Sequence, residues 1–210
     1  MKKLSLIAII LIVFVSCSSY GVKKEINKSS QIKKLEKVGI IIRTPKASML
    51  TNAEVMLSIQ KWSGAYKEKK ELVYLAQKDM SEEIYLYDTT LGPFAQLDEK
   101  KSFMKFKTVG VINMFLRTHS EELKKIMEAK GLDSILIFEV DGFYSPELQW
   151  TAVYSMTVVA NDELDILFLD RQSKSKDVNE MIGDRVKAIV LNDIGGRFVA
   201  MLRSLGCIAE

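Results

Sequence analysis

The residues able to do covalent or proton-transfer chemistry are few and widely spread. There are two cysteines, Cys17 and Cys207, and one histidine, His119. One histidine excludes a His-rich metal site, and two cysteines exclude both a four-cysteine zinc site and a disulfide framework. Cysteine–histidine catalysis would need Cys207 beside His119, and no flanking motif supports that pairing; Cys207 reads as a buried or lone thiol. Glu139 and Asp141 stand two apart at the end of the apolar run Ile135–Val140, so both fall on one face of a strand. They could serve as a carboxylate pair, although a carboxylate in a core strand first needs a cationic partner. Asp162, Glu163 and Asp165 crowd a turn but lack the ligand spacing and glycine of an EF-hand loop. None of G-x-S-x-G, the Walker A pattern, G-x-G-x-x-G or H-E-x-x-H occurs, and no cofactor or metal is expected.

The start of the chain carries a different signal. Met1-Lys2-Lys3 is followed by the apolar run Leu4–Val15 and then Ser16-Cys17. Twelve helical residues span only ~18 Å, short of a ~30 Å hydrocarbon core, so residues 1–16 read as a secretory signal peptide rather than a membrane span. A small residue followed by Cys at the end of such a run resembles the lipobox of bacterial lipoproteins, in the relaxed form of spirochaetes, with Phe14 where Leu is usual. The resemblance implies cleavage between Ser16 and Cys17, a diacylglyceryl thioether on Cys17, and fatty acylation (palmitate or similar) of the new amine. The alternative is secretion through the ordinary signal peptidase, with Cys17 incidental. Ser18 and Ser19, with no aspartate after the cysteine, match the rule by which enteric lipoproteins are sorted to the outer membrane.

Removing the leader changes the charge balance. The whole chain has 30 Lys+Arg against 27 Asp+Glu, a formal +3; residues 1–16 hold two lysines and no acid, leaving +1. Residues 18–37 hold six lysines against two glutamates, so the body from Val38 onward carries −3. A folded domain of that sign lacks the basic face a nucleic-acid binder needs. Residues 17–37, polar and Lys/Ser-rich, read as a lipidated cysteine with a flexible tether. Its lysines would either lie near lipid head groups or merely keep a linker soluble.

The remainder, 38–210, reads as a single globular α/β domain: a mixed sheet with an antiparallel hairpin, packed by about three helices. Lys37–Arg43 is a buried strand bounded by Thr44-Pro45. Thr51-x-x-Glu54 is a capping box opening a helix whose apolar period extends through Val73 and Met80, with Ser63-Gly64 a break point. Ile84–Tyr87 reads as a short strand, and Phe106–Lys130 as one helix with His119 on its apolar side and Gly131 as its cap. Ile135–Val140 is a second core strand closed by Asp141-Gly142. Trp150–Val159 and Leu164–Leu169 form a hairpin, and a last helix starts near Asp177. Asp141–Gln149 (DGFYSPELQ) reads as a loop. Its Phe143 and Tyr144, together with Trp150, would either face a protein partner or fold back on the core.

From Glu128-Ala129-Lys130-Gly131-Leu132-Asp133 through the hairpin to the closing helix, the sequence is similar to small periplasmic α/β lipoproteins. These are typified by the penicillin-binding-protein activator LpoB and the periplasmic part of CsgG. There Gly-x-Asp precedes a core strand and an aspartate precedes the hairpin turn; Asp133 and Asp162 fall near those places. The resemblance implies a non-enzymatic domain that binds other envelope proteins. The leading expectation is thus a protein-binding module held by its lipid anchor to the outer membrane and facing the periplasm. A surface-exposed lipoprotein binding host matrix or serum proteins is the second, and an envelope hydrolase using Glu139 and Asp141 the third.

Overall fold

The computed structural model describes residues 26–46, 50–87, 102–145, 150–177 and 184–209. Among them a mixed sheet runs in the order β2-β1-β4-β5-β6, with the two-residue β3 attached to β1. The strands are β1 (Lys37–Pro45), β2 (Glu71–Tyr74), β3 (Leu86–Tyr87), β4 (Ser134–Ser145), β5 (Trp150–Asn161) and β6 (Ile166–Asp177). The helices are α1 (Ser29–Ile32), α2 (Asn52–Ser63), α3 (Glu82–Tyr85), α4 (Ser102–Thr118), α5 (Ser120–Lys130) and α6 (Asp184–Ser204). The expected α/β class with an antiparallel hairpin is what the chain adopts. It carries six helices among the described residues rather than three.

β1 lies parallel to both β2 and β4, and β4, β5 and β6 follow antiparallel. Because β1 and β4 sit in the middle and are covered on both faces, they read as unbroken apolar runs instead of alternating ones. Ile40, Ile42, Phe138 and Val140 face α2 and α6, where Phe138 meets Phe198 edge to face at 5.1 Å. Ile41, Ile135, Ile137, Met156 and Val158 face α3, α4 and α5 on the opposite side. Helices on both faces of the sheet make three layers.

Local signals account for several boundaries. Thr51 and Glu54 form the reciprocal capping box, with Thr51 N donating to Glu54 Oε2 at 2.9 Å and Glu54 N donating to Thr51 Oγ1 at 3.3 Å. Gly131 ends α5 in the left-handed region at φ 61°, where Leu132 N donates to Met127 O at 2.8 Å. Gly195, inside α6, lies where a Cβ would sit 2.2 Å from Trp62 Cδ1, so its missing side chain admits the Trp62 ring from α2. Gly142 does the same for Val190 and Leu50, at 2.6 and 3.0 Å.

Elsewhere the chain departs from the sequence reading. α2 ends at Ser63, and Val73 belongs to a strand, because Leu72-Val73-Tyr74 pairs with β1 in place of continuing the helix. Glu82–Tyr85 is a helical turn, leaving only Leu86–Tyr87 extended. The predicted helix 106–130 is two, divided at His119, where Glu121 and Glu122 open α5 with favourable first-turn charges. Asp141-Gly142 does not close β4, which continues to Ser145. α6 begins at Asp184, since 170–177 completes the ladder with β5. The flexible spacer expected through Lys37 is corrected for residues 26–36, which are bonded to the body.

Candidate functional site

One row across the sheet brings two arginines level with a glutamate. Arg43 of β1 is opposite Glu139 of β4, Glu139 is opposite Met156 of β5, and Met156 is opposite Arg171 of β6. Residues directly opposite one another project to the same side. The row therefore lies on the face covered by α3, α4 and α5, just beyond the apolar residues Ile41, Ile137 and Val158.

Arg43 Nη1 donates to Glu139 Oε1, and both side chains are nearly enclosed, 6% and 14% exposed. Arg43 Nη2 donates to the carbonyls of Glu83 and Leu86, at 3.1 and 3.0 Å, and the guanidinium stacks 4.3 Å from the Phe115 ring centroid. A planar, permanently charged fork suits this arrangement, since it serves a carboxylate, two carbonyls and a ring together. Burial pushes the Glu139 carboxyl up, opposed by Arg43 and then by Arg171. Arg171 stands 5.5 Å from the ring of Tyr154, whose hydroxyl is likewise pushed up by burial.

Glu139 and Asp141 share a face of β4, and Asp141 is half-buried opposite Tyr154. Glu139 is engaged by Arg43, the ion-paired alternative to a free catalytic carboxylate. Phe143 and Tyr144 are not on a loop: they extend β4, in register with Ala152 and Thr151, and Trp150 opens β5 opposite Ser145. The β-ladder outcompetes the turn residues there because twelve consecutive pairs hold the two strands together.

His119 sits at the head of α5 with its ring centroid 4.8 Å from that of Phe115, remote in sequence and fold from Cys207. Cys207 is free and buried, and burial pushes its thiol up to about 11. The turn holding Asp162, Glu163 and Asp165 is closed by its own polar groups: Asp165 N donates to Asn161 Oδ1 at 2.7 Å. Among the described residues no cluster of three or more His, Cys, Asp or Glu could hold a metal ion. Ser16 and Cys17 lie outside the described residues.

Arg43 is the residue the sequence reading missed. Its signal was present: it follows Val38–Ile42 as Glu139 follows Ile135–Phe138, and two parallel core strands in this register bring the two residues level.

No protein-family model matches this chain, and no curated protein does. Similar solved structures include the PelC dodecamer from Paraburkholderia phytofirmans, at 6% identity and TM-score 0.44, covering 81% of this chain and 86% of that one. The lipoprotein GNA1162 from Neisseria meningitidis is similar at 14% identity and TM-score 0.32, covering 79% and 95%. The LpoB C-terminal domain from Salmonella enterica is similar at 10% identity and TM-score 0.35, covering 74% and 98%.

Proposed function

We propose that this chain is an envelope lipoprotein, anchored through Cys17 at the outer membrane, whose α/β domain binds another envelope protein and catalyses no reaction. The observation that carries this reading is the order Leu4–Val15, Ser16, Cys17, with Ile26, after eight intervening residues, already bonded to the folded body. Among the described residues no helix is long and apolar enough to cross a membrane. One acyl chain binds a bilayer marginally, whereas two or more hold firmly, at about 0.8 kcal/mol per buried CH2. The non-catalytic part is supported by the engagement of Glu139 with Arg43, which leaves that carboxylate serving the fold.

Crosslinking in living cells tests the binding role, with the Cys17→Ala form as control. One envelope protein captured by the wild type and lost with Cys17→Ala is the expected result. Equal capture by both forms would break the link between anchor and partner. Protease shaving of intact cells decides orientation: resistance is expected for a periplasmic domain, and degradation would reverse it.

A further inference from the structure

Residues 26–36 do not behave as part of a tether. They cross the end of the sheet from its β6 edge to the start of β1, passing two intervening strands, and are fixed along the way. Lys28 N donates to Leu167 O at 2.9 Å, and Leu169 N donates to Ile26 O at 3.0 Å. Ile32 is 4% exposed, with Leu35 packed against the same core. The Lys70 ammonium donates to the carbonyls of Ile32 at 3.0 Å, Lys33 at 3.4 Å and Leu35, a cationic end to a helix too short to hold itself. Asp133 Oδ2 accepts from Glu36 N at 2.9 Å and Lys37 N at 2.8 Å, and Glu71 N donates to Glu36 O at 2.9 Å.

We infer that residues 26–36 are a strap that limits how far the domain stands from its lipid anchor. The inference rests on the lipidation of Cys17 proposed above. With the strap docked, nine residue steps separate Cys17 from Ile26, the first of the described residues bonded to the body, a reach of at most ~31 Å at ~3.4 Å per residue. With the strap released, Lys37 becomes the first fixed residue, twenty steps away, and the limit rises to ~68 Å. A partner engaged by the docked form must therefore lie close to the lipid surface, and undocking would more than double the layer the domain can search. The holding groups, Lys70 and Asp133, come from loops outside the strap, so they can be altered while its own sequence stays intact.

The test uses the lipidated protein in phosphatidylcholine vesicles, with a donor dye on Glu163→Cys, an acceptor-labelled lipid, and limited trypsin digestion in parallel. In the wild type the bonds after Lys33 and Lys34 survive while energy transfer is efficient. In Lys70→Met/Asp133→Asn, cleavage there should rise at least about tenfold, as local opening becomes cheap, and transfer should fall. Ten Gly/Ser residues inserted after Ser19 lengthen the reach without touching the strap. They should lower transfer while leaving Lys33 and Lys34 protected, which keeps the test decisive if the double variant does not fold. Rapid wild-type cleavage at Lys33 and Lys34, or unchanged transfer in either variant, overturns the inference. A protein that washes off the vesicles contradicts the anchor at Cys17 instead, and its trypsin pattern still reports on the strap.

Discussion

Arg43 and Glu139 stand level on neighbouring parallel strands, joined by a hydrogen-bonded ion pair that is almost wholly enclosed by α3, α4 and the sheet. Two enclosed charges are tolerated because each is satisfied by the other, and Arg43 also by two carbonyls and the Phe115 ring. Arg43→Met strands the Glu139 carboxylate and should cost about 3–5 kcal/mol in chemical denaturation at neutral pH. Arg43→Met/Glu139→Leu should recover most of that loss. A double variant as unstable as the single one would show that the pair contributes more than mutual neutralisation.

The adjacent glycines of α6 should respond in opposite ways. Gly195→Ala drives a methyl into Trp62 and should destabilise by about 1–3 kcal/mol. Gly196 meets nothing within 4 Å, so Gly196→Ala should be neutral or stabilise by up to about 1 kcal/mol through helix propensity. Thermal melts of the two variants read the contrast directly, and equal shifts would contradict the close approach of α2.

Cys207, with its thiol pushed up to about 11, is almost entirely protonated at pH 8 and screened from reagents. A disulfide exchange reagent should label it at least about a hundredfold more slowly in the native protein than in guanidinium, where the thiol regains its ordinary value near 8.5. Comparable rates would place the thiol at the surface.

Asp79 is held below its ordinary value by Ala76 N, at 3.0 Å, and then by Lys130. Glu54 is held down by Lys187, at 2.5 Å, and then by Thr51 N. A carboxyl depressed on folding stabilises above its unfolded value and loses that contribution as pH falls through its folded one. Stability should therefore decline as the pH drops below about 4, and Asp79→Asn should flatten the decline. An unchanged acid profile in the variant would show that Asp79 does not contribute to the acid sensitivity.

What the sequence made legible follows from packing on both sides of the sheet. Val38–Ile42, Ile135–Val140 and the 150–169 hairpin announce themselves because burial demands apolar or β-branched residues there. The second half of β6 (Asp170–Asp177) is a polar edge strand whose partner ladder, rather than its composition, holds it extended, so it looked like the approach to a helix. The strap was hidden for a similar reason. Its lysines and serines match a solvated linker, and the groups that fix it, Lys70, Asp133 and Leu167, come from distant parts of the chain. For the site, the need of Glu139 for a cation could be read locally; that Arg43 meets it depended on a parallel register 96 residues apart.

Intact mass and amino-terminal peptide mass spectrometry of the protein purified from its native membrane read out the proposed lipid thioether at Cys17. The expected species is a chain beginning at Cys17 and heavier than its sequence by a diacylglyceryl group, with or without a further acyl chain on the amine. An unmodified thiol at Cys17, or the 1–16 leader still attached, would contradict it.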